Sequence, residues 1–322
     1  YFIWYVRNIS LKELLQVLLK DKSKDKEVTT LRASGILLPI ASLPSNYGIG
    51  CFSEKAYDFI DILRKAGQKY WQILPIGPTS FGDSPYQSFS TFAGNPYFID
   101  LEYLIKEGLL TKKECDSFDF GKNPVYIDYG KIYKSRFKLL KLAYERSDWA
   151  SNKEYREFCS KNAYWLEDYA LFMAVKDQFG GVSWNEWEKD IKHRKPSALE
   201  KYQNILSKEI NFYKYIQFEF SNQWGRLKEY ANQNDVQIIG DIPIYVAFDS
   251  ADTWANPELF QFDEHESPIA VAGCPPDAFS STGQLWGNPL YKWEYHKEHK
   301  FDWWIHRIKY CLEQYDVLRV DH

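Results

Sequence analysis

The sequence predicts a parallel α/β protein. Three observations carry this. Short apolar runs stand at residues 35–40, 70–75, 236–241 and 317–321; helical patterns separate them; and each later run closes on polar side chains. Strands joined through helices run parallel and bury both faces, so they read as continuous apolar runs. Active sites in such folds assemble at the carboxyl ends of the strands.

Residues 1–31 hold an apolar patch, a short helical stretch over 11–20 and a charge run over 20–27 that reads as a solvated linker. The organised part begins near Arg32. Gly35-Ile-Leu-Leu-Pro-Ile40 predicts a buried strand, and the Gly/Ser/Pro/Asn-rich residues 41–50 predict a loop. Ala56, Phe59, Ile60 and Leu63 share one helical face, with Ser53 placed to cap the helix and Gly67 to stop it. Tyr70-Trp-Gln-Ile-Leu-Pro75 then completes a strand–helix–strand unit.

About 150 residues separate the second strand from the third, too many for one crossover helix, so an inserted, mainly helical subdomain is expected over about 102–210. Within it, Trp165, Tyr169, Phe172 and Met173 fall at helical spacing before Gly180-Gly181 and read as core. The third strand, 236–241, follows a helix with Ile216, Phe220, Leu227 and Ala231 on one face. The fourth, 317–321, follows one carrying Phe301, Trp304, Ile305, Ile308 and Leu312.

Composition excludes several function classes. With 40 basic and 44 acidic residues the charge is nearly balanced, so no phosphate-tracking surface is implied and nucleic acid is not an expected partner. Five scattered cysteines without CxxC spacing indicate neither a disulfide framework nor a zinc site, which fits a reducing, cytoplasmic setting. No run approaches the ~18 apolar residues of a membrane span. His193, His265, His296, His299 and His306 lack ligand spacing, and His296 and His299 read as solvated helix residues. The aromatic fraction of 18% is high; such rings mostly serve cores, but they also offer flat faces to sugar C–H groups.

Four stretches carry candidate chemistry. In Arg319-Val-Asp-His322, residues two apart on a strand share a face, so Arg319 and Asp321 point together, and they face the barrel axis if Leu318 and Val320 face helices. A guanidinium beside a carboxylate favours the ionised form of a nucleophile; an ordinary structural pair is the alternative. Asp241 closes the third strand and is placed either to accept from sugar hydroxyls or to cap a loop or pair with Arg319. The loop containing Ser84, Tyr86 and Gln87 is dense in hydroxyls, amides and rings, which suits a pyranose, or else its rings simply pack. The stretch with Asp277, Phe279, Gln284, Trp286 and Asn288 has the same character, its rings held between Pro and Gly as on a surface loop.

Taken together, Arg32-Ala-Ser-Gly, Ser45-Asn-Tyr-Gly-Ile-Gly50, Asp83-Ser-Pro-Tyr-Gln87, Gly94-Asn-Pro-Tyr97, Gly240-Asp-Ile-Pro243, Pro275-Pro-Asp277, Trp286-Gly-Asn288 and Arg319-Val-Asp-His322 resemble the 4-α-glucanotransferases (amylomaltases) of the α-amylase clan. The resemblance covers 32–322 and leaves 1–31 outside it. It implies a (β/α)8 TIM barrel, here with the first four strands and large helical insertions, acting on α-1,4-glucans and maltooligosaccharides by retaining double displacement without a cofactor. In that scheme Asp321 is the nucleophile and Arg319 its electrostatic partner. Ser84, Tyr86, Asp241, Asp277, Phe279, Trp286, Asn288 and His322 contact substrate, and residues 249–291 form an acceptor-side loop region. The family's acid/base Glu and a stabilising Asp come from later strands, so these 322 residues alone are expected to be inactive. A glucan hydrolase of the same clan and a non-catalytic glucan-binding fragment are the competing readings.

Overall fold

The structure, a computed structural model, describes residues 32–322 except Phe81, Pro124, Phe279 and His322. The expected 11–20 helix and charged linker lie outside the described residues. The chain runs β1 (Gly35–Leu37), α1 (Glu54–Lys65), β2 (Tyr70–Gln72), then α2 (Leu101–Lys106), α3 (Lys112–Asp116), α4 (Tyr129–Arg146), α5 (Lys153–Gln178), α6 (Lys189–Lys192), α7 (Pro196–Ile205) and α8 (Ser207–Gln233). It continues through β3 (Gln237–Pro243), α9 (Ala251–Ala255), β4 (Val271–Cys274), β5 (Gln284–Pro289), α10 (Trp293–Glu298), α11 (Asp302–Gln314) and β6 (Val317–Asp321).

β1, β2, β3 and β6 form one parallel sheet in chain order, and β4–β5 form a separate antiparallel pair. Sequential order is the arrangement of a barrel segment, because right-handed crossovers in one direction leave every helix on the same face. On that face Trp71, Ile238 and Ile242 pack into one core with Ile60 of α1, Phe172 of α5 and Ile216, Phe220 and Leu227 of α8. Gly240 also lies on it, where a Cβ would fall inside the Tyr315 ring. The α5 stripe Trp165, Tyr169, Phe172 and Met173 is buried as expected, and Gly180 and Gly181 follow that helix at positive φ.

Five expectations are corrected. The 35–40 run is not a buried strand at its start: Ile36 and Leu37 are 43% and 53% exposed, because β1 is an edge strand paired with β2 alone among the described residues. Val320 on the opposite edge shares the helix face with Leu318, which packs on the core, but is itself 39% exposed. Ser53 holds the N-cap position of α1 but makes no capping hydrogen bond, and its hydroxyl is buried without a partner. On α11, Trp304, Arg307 and Cys311 are buried while Leu312 is exposed. On this inward stripe Arg307 donates to the carbonyls of Pro243, the last residue of β3, and of Ile244 just after it. His296 is fully buried, with Nε2 on the Leu259 carbonyl at 3.1 Å; its ring packs against Tyr291 and Trp293.

Candidate active site

The site grows from strand register. β3 and β6 pair so that Asp241 lies opposite Arg319 and Pro243 opposite Asp321. Alternation then sets Asp241, Arg319 and Asp321 on one face at the carboxyl ends, away from the packed helices. Arg319 spans both carboxylates: one amino group donates to Asp241 Oδ2 at 2.6 Å and the other to Asp321 Oδ1 at 2.5 Å. Such charge-assisted bonds are short and directional, so one guanidinium fixes two acidic side chains from neighbouring strands.

Tyr86 arrives from the loop after β2, its hydroxyl donating to Asp241 Oδ2 at 2.8 Å. Burial, then the Asp241 hydrogen bond, pushes the phenol up to about 12, so Tyr86 remains a donor at neutral pH. Asp241 has no exposed surface. Burial raises its pKa, opposed by Tyr86 and by the Arg319 charge, and its Oδ1 is buried without a partner. Burial also works against the Arg319 charge, but the Asp241 and Asp321 carboxylates outweigh it and its pKa is raised.

Above this triad opens a cleft lined by Ser84, Tyr86, Gln87, Tyr245, Gln284, Trp286, Asn288 and Asp321, with residues 243–244. The structure therefore gathers Ser84, Tyr86, Asp241, Trp286, Asn288, Arg319 and Asp321. Asp277 stands apart in an exposed turn, its Oδ1 accepting from the Ser280 amide at 2.8 Å, and it is not among the cleft's lining residues. Phe279 and His322 lie outside the described residues.

Trp286 was expected on a loop, but it sits on β5, whose pairing with β4 makes a hairpin over the cleft. Gly283 at φ +75 shapes the approach to that strand, where a Cβ would strike the Cys274 carbonyl. Asn288 is buried: Nδ2 donates to the Val246 carbonyl and Oδ1 accepts from Gln87 Nε2, both at 2.8 Å. Gln87 also donates to the Trp286 carbonyl at 3.2 Å. Gln87 thus braces the Tyr86 loop against the hairpin, a role that no local pattern in the sequence marks. A second unmarked contact is Lys176, buried and 2.5 Å from Asp249, which ties α5 to the loop after β3. Among the described residues no group of His, Cys, Asp and Glu is arranged to hold a metal ion, and no helix is long and apolar enough to cross a membrane.

Fold and site define a parallel α/β protein with a carboxylate–guanidinium–carboxylate centre at its strand ends. The chain belongs to the 4-alpha-glucanotransferase family, whose profile matches residues 38–322. It is similar to the 4-alpha-glucanotransferase of Clostridium butyricum, at 52% identity over 284 residues, covering 88% of this chain and 58% of that protein. A Thermus thermophilus 4-alpha-glucanotransferase is 46% identical over 295 residues, with 90% and 58% covered. The amylomaltase from Streptococcus agalactiae in complex with acarbose superposes with a TM-score of 0.87 at 46% identity, covering 91% of this chain and 59% of that one. These neighbours place the sheet in the TIM-barrel class, and this chain spans under three fifths of their length.

Proposed function

We propose that this chain supplies the nucleophile-bearing part of a 4-α-glucanotransferase site, one that moves a segment of an α-1,4-glucan onto the 4-hydroxyl of glucose or a maltooligosaccharide. The single observation that carries this reading is Arg319 holding Asp241 and Asp321 together at the mouth of an aromatic cleft. An Asp321 oxygen attacks the anomeric carbon as the glycosidic bond breaks, the leaving oxygen taking a proton from a second carboxyl group and a covalent glycosyl-enzyme remaining; the acceptor hydroxyl then displaces Asp321 with retention, giving its proton back to that carboxylate. Tyr86 borders the sugar at the cleavage point with Asp241 fixing its hydroxyl from behind, Ser84 and Asn288 border the same space, and Trp286 offers a face to the acceptor side. A wall that excludes water while admitting a sugar favours transfer over hydrolysis.

Retaining chemistry needs a second carboxyl about 5–5.5 Å from the nucleophile. Asp321 is the only carboxylate among the described residues lining the cleft, and Asp241, without exposed surface, does not reach a glycosidic oxygen. We therefore expect these 322 residues alone to leave maltotriose unchanged. The same chain extended to the length of its relatives should give a ladder of longer and shorter oligosaccharides plus glucose. Asp321→Asn in that longer protein should abolish the ladder; if the ladder persists, Asp321 is not the nucleophile. Five free cysteines, three of them buried, fit a cytoplasmic setting.

A further inference from the structure

A second groove runs between α5 and the α10–α11 pair, behind the loop that carries Tyr86. Its floor is Phe92, whose ring stacks on Trp165 at 6.2 Å and meets Tyr164 and Trp303 edge-on at 5.7 and 6.5 Å. Tyr164 is 54% exposed and leans on the His306 ring at 5.9 Å. Tyr164 and, in part, Trp303 present aromatic surface, held rigid from below by the buried Phe92 and Trp165 rings.

The polar groups are as selective as the rings. Asp168, Asp252, Glu258 and Asp302 line the groove, Asp252 buried and bonded to Thr91, and no Lys or Arg is among its described lining residues. Arg194 binds Asp168 from outside the lining, at 2.6 Å, and so fixes that carboxylate in place. Glu258 and His306 make no side-chain hydrogen bond with any other described residue. An anionic ligand would be repelled by these carboxylates, and a purely apolar peptide would strip them of water without replacing it. A chain of pyranoses satisfies both features, its C–H faces on the rings and its hydroxyls donating to carboxylates. Ser90 and Phe92, both buried, form the wall between this groove and the chamber behind Tyr86 and Asp241.

We propose that this groove is a second α-1,4-glucan site, holding a stretch of polymer away from the cleft; the choice of ligand rests on the glucan reading above. The test is electrophoresis of the whole 322-residue chain through gels containing soluble starch, with maltoheptaose titration in solution. Tyr164→Ala/His306→Ala should lose about tenfold in affinity, equivalent to ~1.4 kcal/mol. The cleft variant Tyr86→Ala/Trp286→Ala should keep most of its retardation. Both groove positions are exposed, so far-UV circular dichroism should match the parent, and His306→Ala alone serves if the double variant is unstable. Groove variants that migrate like the parent overturn the proposal; if the cleft variant then loses all retardation, the glucan reading stands without it. Glu258→Gln should change affinity less than about twofold, since a carboxamide still accepts from a hydroxyl. A large loss in that variant, or displacement of maltoheptaose by spermidine, makes the groove a cation site and overturns the proposal.

Discussion

Arg319→Met tests the centre of the site directly. The substitution keeps an unbranched apolar stem and removes the guanidinium, leaving Asp241 with no exposed surface, no counter-ion and only the Tyr86 hydroxyl as a partner. Stranding one member of a buried pair costs about 3–5 kcal/mol. The Arg319 side chain is 38% exposed, so solvent screens part of the interaction and about 2–3 kcal/mol is expected. Asp241→Asn in the Arg319→Met background removes the stranded charge and should recover about 1–2 kcal/mol of that loss. Urea denaturation of the four proteins at neutral pH, with equal m-values, gives the cycle. Burial already raises the Asp241 pKa, and losing Arg319 raises it further. The folded state then binds a proton that the unfolded state has released, so stability falls as pH rises through the carboxylate range and the Arg319→Met deficit shrinks on acidification. Losses that add to within about 0.5 kcal/mol, or a deficit that grows in acid, would refute the bridge as the organising contact.

Three further outcomes follow from named contacts. Glu219 is 6% exposed, and burial followed by the Glu107 charge pushes it up to about 8. With the folded pKa above the unfolded one, stability is lost as pH rises, so Glu219→Gln should gain on the parent by about 3 kcal/mol between pH 5 and 8; a pH-independent difference in urea titrations contradicts this. Gly240→Ala drives a methyl into the buried Tyr315 ring and should cost about 3 kcal/mol, and a melting temperature equal to the parent's would show that the ring moves freely. Lys176→Met leaves Asp249 without its 2.5 Å partner; at 29% exposure Asp249 keeps some water, so a loss of about 2 kcal/mol is expected in thermal melts, and a smaller loss than in a surface Lys→Met control opposes the clamp.

Much of the frame was legible from local pattern. The parallel strand–helix–strand units, the α5 stripe and the shared face of Arg319 and Asp321 all depend on periods of 3.6 or 2, which neighbouring residues reveal by themselves. His296 and Leu312 went the other way. Both lie on helices whose inward face depends on what packs there, Leu259 and Tyr291 around His296 on the one and the Pro243 and Ile244 carbonyls beside Arg307 on the other. The 35–40 run was misread for a related reason, since apolar content does not say whether a strand is central or at an edge.

The sequence by itself determined which chemical groups this protein owns and which of them are near neighbours along the chain: Arg319 with Asp321, Tyr86 with Gln87, Trp286 with Asn288. Only the tertiary structure decided that Tyr86 and Asp241, 155 positions apart, share a hydrogen bond, that Gln87 ties the loop to the hairpin, and that Asp277 stands outside the cleft. The physical reason is register. The offset between β3 and β6 is set by hydrogen bonds and packing summed over whole elements, and a shift of one residue would turn Asp241 into the helices and leave Arg319 with a single carboxylate.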